Sequence, residues 1–156
     1  MSQTLTRDDL ASMTGLETLQ AMMQGRLPPP PFAVTTRMHI AEAEYGRVVF
    51  EGAAVADFLN PLGTVHGGWI ATLIDSAMAC AVHSTLAAGQ GYTTVEMKVH
   101  YVRAVTLKTP RVRCEGKIVH VGGRMATSEG RVFDADTGAL LAHGTETCMI
   151  FTPDQK

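Results

Sequence analysis

A single carboxylate inside a long apolar stretch is the first feature of this sequence that indicates chemistry. Asp75 is the one formally charged residue between Phe58 and Val95. A buried, unpaired carboxylate takes up a proton or finds a partner, and strongly perturbed carboxylates cluster at functional sites. The alternative is a core acid whose hydrogen bonds are satisfied by its neighbours.

Two consecutive glycines precede the apolar stretch. Gly67 and Gly68 stand where a helix should begin, so their N–H groups are among the unsatisfied donors at its positive end. Without side chains there, a ligand oxygen can approach the backbone closely. An oriented N–H stabilises a developing oxyanion, and a carboxylate nearby activates water or attacks directly. Together these features favour an acyl-transfer site over a tight turn beside a core acid.

The apolar stretch itself, residues 69–86, predicts one long helix. Its apolar residues recur at spacings of three and four, and the stretch is too long for an ordinary strand. It is apolar on nearly all sides, as expected for a helix enclosed by a sheet. Asp75 and His83 interrupt it, so a membrane span is a poor interpretation.

Strands are expected on both sides of this helix. Two precede it, over 34–40 and 47–50, with a turn near 44–46. After the helix the apolar period changes to two, which is typical of half-exposed strands. Tight turns separate four such strands, over 93–101, 111–118, 124–134 and 140–151. The pattern predicts an α+β fold with an antiparallel sheet.

The N-terminal part of the chain has a different character. Residues 10–23 have helical spacing, with Thr14 as a candidate cap, and the prolines at 28–31 predict a polyproline connector. We therefore expect an N-terminal helix and proline-rich connector over 1–31, and the main domain over 32–156.

Composition excludes several functional classes. The 156 residues are 46% hydrophobic and 18% charged, which is ordinary for a soluble globular protein with a real core. A net charge of −2 gives no electrostatic reason to expect nucleic acid or an anionic membrane as partner. The three scattered cysteines and the lack of a visible signal peptide predict a cytoplasmic protein.

Known cofactor and nucleophile motifs are missing from the sequence. The six histidines show no metal-ligand spacing, and no glycine-rich phosphate loop follows a strand. No Gly-x-Ser-x-Gly elbow is present. We expect no metal and no redox cofactor.

The polar positions around the glycines resemble a known family. Asn60, Gly63 and the run His66-Gly67-Gly68, with Asp75 nine residues after the histidine, resemble the hotdog-fold acyl-CoA thioesterases of the PaaI (phenylacetate-degradation) type. The resemblance extends from about residue 28 to 151. It implies a hotdog fold, in which an antiparallel sheet wraps a long central helix that pairs with a second copy of itself.

The resemblance also implies an activity, the hydrolysis of a small or aromatic acyl-CoA. Gly67 would polarise the thioester carbonyl, and Asp75 would act as nucleophile or general base. Asn60 would position water or the carbonyl, and His66 would orient Asn60 or assist departure of the thiol.

A further group expected from the family is a hydroxyl that holds the attacking water. It falls on Thr94, with Thr93 as the alternative. Gly68 and Thr93 are expected to contact the substrate. Two other functions remain open, a hotdog-fold acyl-CoA hydratase or dehydratase and a non-catalytic acyl-CoA binding module.

Helical geometry predicts that one chain does not complete the site. If the helix begins near His66, Asp75 lies about 13 Å further along the axis and half a revolution around it. A two-fold partner would place its own Asp75 opposite this loop. We therefore expect a homodimer with shared active sites, or a dimer of such dimers. The alternative is a loop that folds back within one chain.

Overall fold

A computed structural model describes residues 11–109 and 111–152. In chain order its regular elements are helix α1 (Gly15–Met23), the short helix α2 (Pro31–Thr35), strands β1 (Met38–Glu44) and β2 (Arg47–Ala53), a 3₁₀ turn (Ala56–Phe58), helix α3 (Gly67–His83), and strands β3 (Gly91–Tyr101), β4 (Arg111–Val121), β5 (Met125–Asp134) and β6 (Leu140–Phe151). No helix in these ranges is both long and apolar enough to cross a membrane.

The six strands of the described ranges form one sheet in the order β1-β2-β4-β5-β6-β3. Every neighbouring pair is antiparallel, and β1 and β3 are the edge strands. The buried face of α3 packs against this sheet, and Leu73, Ile74, Ala77 and Met78 are fully buried between the two layers. The predicted α+β hotdog fold, with an antiparallel sheet around one long helix, is confirmed.

A row of glycines lets α3 lie close to the sheet. Gly116 of β4, Gly130 of β5 and Gly144 of β6 are successive register partners. A Cβ on Gly116 would lie 2.1 Å from the carbonyl oxygen of Ala77 in α3, and one on Gly130 would lie 2.7 Å from Ile74 Cγ1. Since real Cβ atoms do not approach other atoms so closely, side chains at positions 116 and 130 would push the helix off the sheet.

The first predicted strand is wrong in its position. Residues 34 and 35 belong to α2, and β1 begins only at Met38. Pro31 occupies the first turn of α2, where its fixed φ and missing N–H favour a helix. Arg37, with φ of 53°, then separates α2 from β1. The predicted turn near 44–46 and the strand after it are confirmed.

Helix α1 has the predicted cap at Thr14. The Thr14 hydroxyl accepts a hydrogen bond from the Glu17 N–H at 3.3 Å, and the Glu17 carboxylate accepts one from the Thr14 N–H at 2.8 Å. The predicted helix is therefore divided at Thr14, and its residue 10 lies outside the described part. The Gly15 N–H donates to the Leu86 carbonyl at 3.1 Å, which joins α1 to the segment that follows α3.

Candidate active site

The loop before α3 is held in shape by Asn60. Its amide Nδ2 donates to Thr64 Oγ1 at 2.8 Å. Its Oδ1 accepts from the backbone N–H groups of Leu62 at 2.9 Å and Thr64 at 3.3 Å. The hydrogen bonds of the Asn60 side chain are therefore made within its own loop, and they fix the conformation of the chain that leads into α3.

His66 is the N-cap of α3. Its Nδ1 accepts a hydrogen bond from the Gly68 N–H at 2.9 Å. A Cβ on Gly68 would lie 2.9 Å from this Nδ1, so the missing side chain makes room for the cap. Among the described residues, no hydrogen bond joins His66 to Asn60.

Gly67 retains an available donor at the helix N-terminus. Within residues 11–109 and 111–152, nothing accepts a hydrogen bond from the Gly67 N–H. The Gly67 carbonyl accepts one from Tyr101 Oη at 3.0 Å. Gly67 and Tyr101 line a cleft of about 230 Å³ together with Arg103. This arrangement places an oriented N–H and a cation beside one opening.

Asp75 lies further along α3, against strand β3. Its side chain is half-buried, and its Oδ1 is 3.4 Å from the hydroxyl of Thr94. Burial raises the pKa of Asp75. Of the two threonines considered, Thr94 contacts Asp75. Thr93 lies on the opposite face of β3, since successive side chains of a strand alternate.

A second buried carboxyl group lies beside this pair, and sequence reasoning missed it. Glu146 of β6 is only 1% exposed. Its Oε1 accepts from Thr94 Oγ1 at 2.8 Å and from Cys148 Sγ at 3.0 Å. Burial raises the pKa of Glu146 to about 7. The alternation of β6 was a usable signal, since Glu146 shares the inward face with Cys148 and Ile150.

The two clusters are separate within one chain. Gly67 and Asp75 are eight residues apart on α3, a distance of about 12 Å along its axis. In the described part of the chain, no hydrogen bond links the cluster at Asn60, His66 and Gly67 with the cluster at Asp75 and Thr94. A single chain therefore holds the Gly67 N–H and the Asp75 carboxylate apart.

An apolar cavity of about 440 Å³ lies near the Asp75 cluster. Helix α1, the proline-rich connector and β1 form much of its wall, and Cys80, His83 and Tyr92 add polar atoms. Cys80 follows Asp75 by five residues, so this end of the cavity is roughly 7 Å further along the helix. Tyr92 precedes Thr94 by two residues on the same face of β3.

The profile of the thioesterase superfamily matches residues 62–140, just over half of the 156 residues. The chain belongs to the thioesterase superfamily. Among relatives of this thioesterase, acyl-coenzyme A thioesterase 13 of Mus musculus is 27% identical over 139 residues, covering 88% of this chain and 96% of the relative. Residues 62–140, which match the family profile, contain both α3 and Thr94.

Solved structures agree with this assignment. A variant of the phenylacetic acid degradation protein PaaI from Thermus thermophilus is 28% identical, has a TM-score of 0.68, and covers 77% of this chain and 98% of its own. A thioesterase from Streptococcus pneumoniae, solved with coenzyme A, shares the fold with 24% identity, a TM-score of 0.66, and coverage of 74% and 86%. The predicted resemblance to PaaI-type thioesterases is confirmed.

No three His, Cys, Asp or Glu side chains converge on a possible metal position within the described ranges of this thioesterase.

Proposed function

We propose that the protein hydrolyses a small or aromatic acyl-CoA to the free acid and coenzyme A. The observation that carries this proposal is the placement of two groups on one helix of a thioesterase-superfamily chain. These groups are the available N–H of Gly67 and the half-buried carboxylate of Asp75.

The chemistry follows from these groups. The thioester oxygen accepts from the Gly67 N–H at the positive end of α3, where charge developing on that oxygen is stabilised. Asp75 either attacks the carbonyl carbon or removes a proton from the attacking water, and both routes expel the coenzyme A thiolate. Thr94 helps to hold the water. Asn60 and His66 act by fixing the loop and cap that present the N–H, and Gly68 by leaving room for that cap.

Two protomers build each site in this proposal. The 12 Å offset between Gly67 and Asp75 exceeds the reach of one thioester, so Asp75 of a two-fold partner completes the site. Strand β3 is a candidate surface for the partner. It is eleven residues long, one of its edges is unpaired, and its Val95 is 53% exposed. A long, open and partly apolar edge strand readily pairs with another chain. The partner would then also cover Thr93.

The remaining surfaces fit the two parts of the substrate. The 440 Å³ cavity is apolar and in the size range of ligand pockets, so the acyl group occupies it. Arg103 in the cleft beside Gly67 meets the phosphates of coenzyme A. Three free cysteines, Cys80, Cys114 and Cys148, support a location in the reducing cytoplasm.

The test is release of free thiol from a panel of phenylacetyl-, hydroxybenzoyl- and straight-chain acyl-CoAs, with the parental protein and Asp75→Asn. We expect turnover of one or more small or aromatic substrates. Asp75→Asn keeps the shape of the side chain but removes its charge, and should lower kcat at least ~10²-fold, with a smaller change in KM.

Asp57→Asn is the matched control, because Asp57 is an exposed aspartate outside both clusters. It should keep parental kinetics. Full turnover by folded Asp75→Asn would remove Asp75 from the chemistry. A hydrated product with an intact thioester would identify a hydratase instead, and tight binding with no turnover would identify a binding module.

A further inference from the structure

Glu146 is a buried carboxyl group that the proposed mechanism does not use. The groups that face it come from three strands and the central helix: Asp75 and Cys80 of α3, Thr94 and Tyr92 of β3, Ser128 of β5, and Cys148 of β6. No cation is among them. A carboxyl group in such surroundings costs free energy, so it calls for an explanation beyond packing.

The Thr94 hydroxyl lies between two carboxyl groups but has a single hydrogen. Its oxygen is 2.8 Å from Glu146 Oε1 and 3.4 Å from Asp75 Oδ1. The shorter contact is a normal O–H···O hydrogen bond, and the longer one is weak. The hydrogen therefore goes to Glu146, and the Thr94 oxygen presents its lone pairs toward Asp75.

We propose that Glu146 is a positioning residue of the hydrolysis: by accepting the one hydrogen of Thr94, it turns the Thr94 oxygen into an acceptor for the attacking water. This inference rests on the proposed function. The water then donates one hydrogen to Asp75 and the other to Thr94, and its free lone pair faces the thioester carbon.

When Glu146 is protonated, the proton resides on its second carboxyl oxygen, Oε2. Glu146 Oε2 and Ser128 Oγ are both buried without a hydrogen-bond partner among the described residues. Glu146 and Ser128 are direct register partners on β6 and β5, which puts their side chains side by side on the same face. A proton on Oε2 leaves Oε1 available to Thr94, so protonation removes the charge of Glu146 but not its hold on the hydroxyl.

Ionisation of Glu146 should therefore modulate the rate rather than switch it on or off. Burial and, to a smaller extent, the charge of Asp75 raise the pKa of Glu146 to about 7, although the hydrogen bonds from Cys148 and Thr94 act in the opposite direction. Above that pH an ionised Glu146 is a stronger acceptor for Thr94, and its negative charge makes Asp75 more basic. We expect a rise in kcat through about pH 7 in the parental protein.

Two near-isosteric variants separate the hydrogen bond from the charge. Glu146→Gln keeps an acceptor for Thr94 but cannot ionise, so its kcat should stay within about threefold of the parental value near pH 6 and lose the rise through pH 7. Glu146→Met has no acceptor, so kcat should fall at least ~10-fold with KM little changed, and adding Thr94→Val should cause little further loss.

Glu129→Gln and Glu129→Met are the matched controls, because Glu129 is exposed on β5. Both should keep the parental rate and pH profile. Parental kcat in Glu146→Met would overturn the positioning role, and an unchanged rise through pH 7 in Glu146→Gln would overturn the effect of Glu146 ionisation on the rate. If Glu146→Met does not fold, Glu146→Gln is compared in the parental and Thr94→Val proteins above pH 7: a loss of kcat that is equally large in both would overturn a role that acts through Thr94. Either outcome leaves the Asp75→Asn test of hydrolysis unaffected.

Discussion

At the residue scale, the two glycines at the start of α3 differ in the partners of their N–H groups. Both are glycines in adjacent positions, so the sequence alone predicts that Gly67 and Gly68 both approach the substrate. In the structure the Gly68 N–H is bonded to the His66 cap, whereas the Gly67 N–H has no partner in the described ranges. Which donor is used depends on the conformation of the preceding loop, and this conformation depends on the Asn60 hydrogen bonds rather than on local propensity.

Gly67→Ala tests the oxyanion donor. A Cβ on Gly67 would lie 3.3 Å from ring atoms of Tyr101, so either the ring or the start of the helix must shift. Losing one such donor costs roughly 10²- to 10³-fold in kcat in other enzymes, and we expect at least ~10-fold here. The measurement is kcat from thiol release.

Gly123→Ala is the control for that substitution, because nothing lies within 4 Å of a Cβ at Gly123 and its φ is not in the left-handed region. It should keep the parental rate. Equal kcat for Gly67→Ala and the parental protein would show that hydrolysis does not depend on the open space at residue 67 or on the present position of its N–H.

Glu146 illustrates what the burial pattern of one strand can predict and what it cannot. The alternation along β6 already placed Glu146 on the inward face. Its contact with Thr94 could not be predicted, because it depends on the pairing of β3 with β6, where the register shifts between Thr94 and Glu96. Long-range register of this kind is set by tertiary packing, and periodicity within one strand does not contain it.

At the scale of the elements, periodicity predicted most of what is observed. The long helix and the last four strands were visible because their apolar residues repeat at 3.6 or at 2. The error at α2 arose where a five-residue helix has too few residues to show any period, and Pro31 was the only local sign of it. The close packing of α3 against the sheet could not be predicted from the sequence either, because Gly116, Gly130 and Gly144 align only after the strands pair.

Gly116→Ala tests that close packing. The added methyl group would lie 2.1 Å from the Ala77 carbonyl oxygen, which belongs to helical backbone and cannot rotate away. Overpacking typically costs 1–3 kcal/mol, and a contact with backbone should put this variant at roughly 3 kcal/mol or more in free energy of unfolding. Chemical denaturation of the variant and of Gly123→Ala measures the difference. A midpoint for Gly116→Ala as high as that of the control would show that the helix does not depend on this approach.

At the scale of the whole molecule, one chain holds the Gly67 N–H and the Asp75 carboxylate apart. The separation follows from helical rise alone, so it was predictable from the spacing of Gly67 and Asp75. The structure keeps the donor near the cleft with Arg103 and the carboxylate near β3 and the apolar cavity. The sequence does not say which surface would bring the second chain of the proposed dimer, because an edge strand becomes recognisable only after the strand order is known.

Activity of mixed dimers tests the shared site most directly. Gly67→Ala and Asp75→Asn chains are refolded separately and together, and formation of mixed dimers is verified with distinguishable tags. Each parent dimer should keep at most about a tenth of the unmutated activity. With random mixing, half of the dimers contain both chains, each with one intact site and one doubly damaged site, so roughly a quarter of the unmutated activity should return. A mixture that contains mixed dimers yet is no more active than its parents would contradict a site built from two protomers.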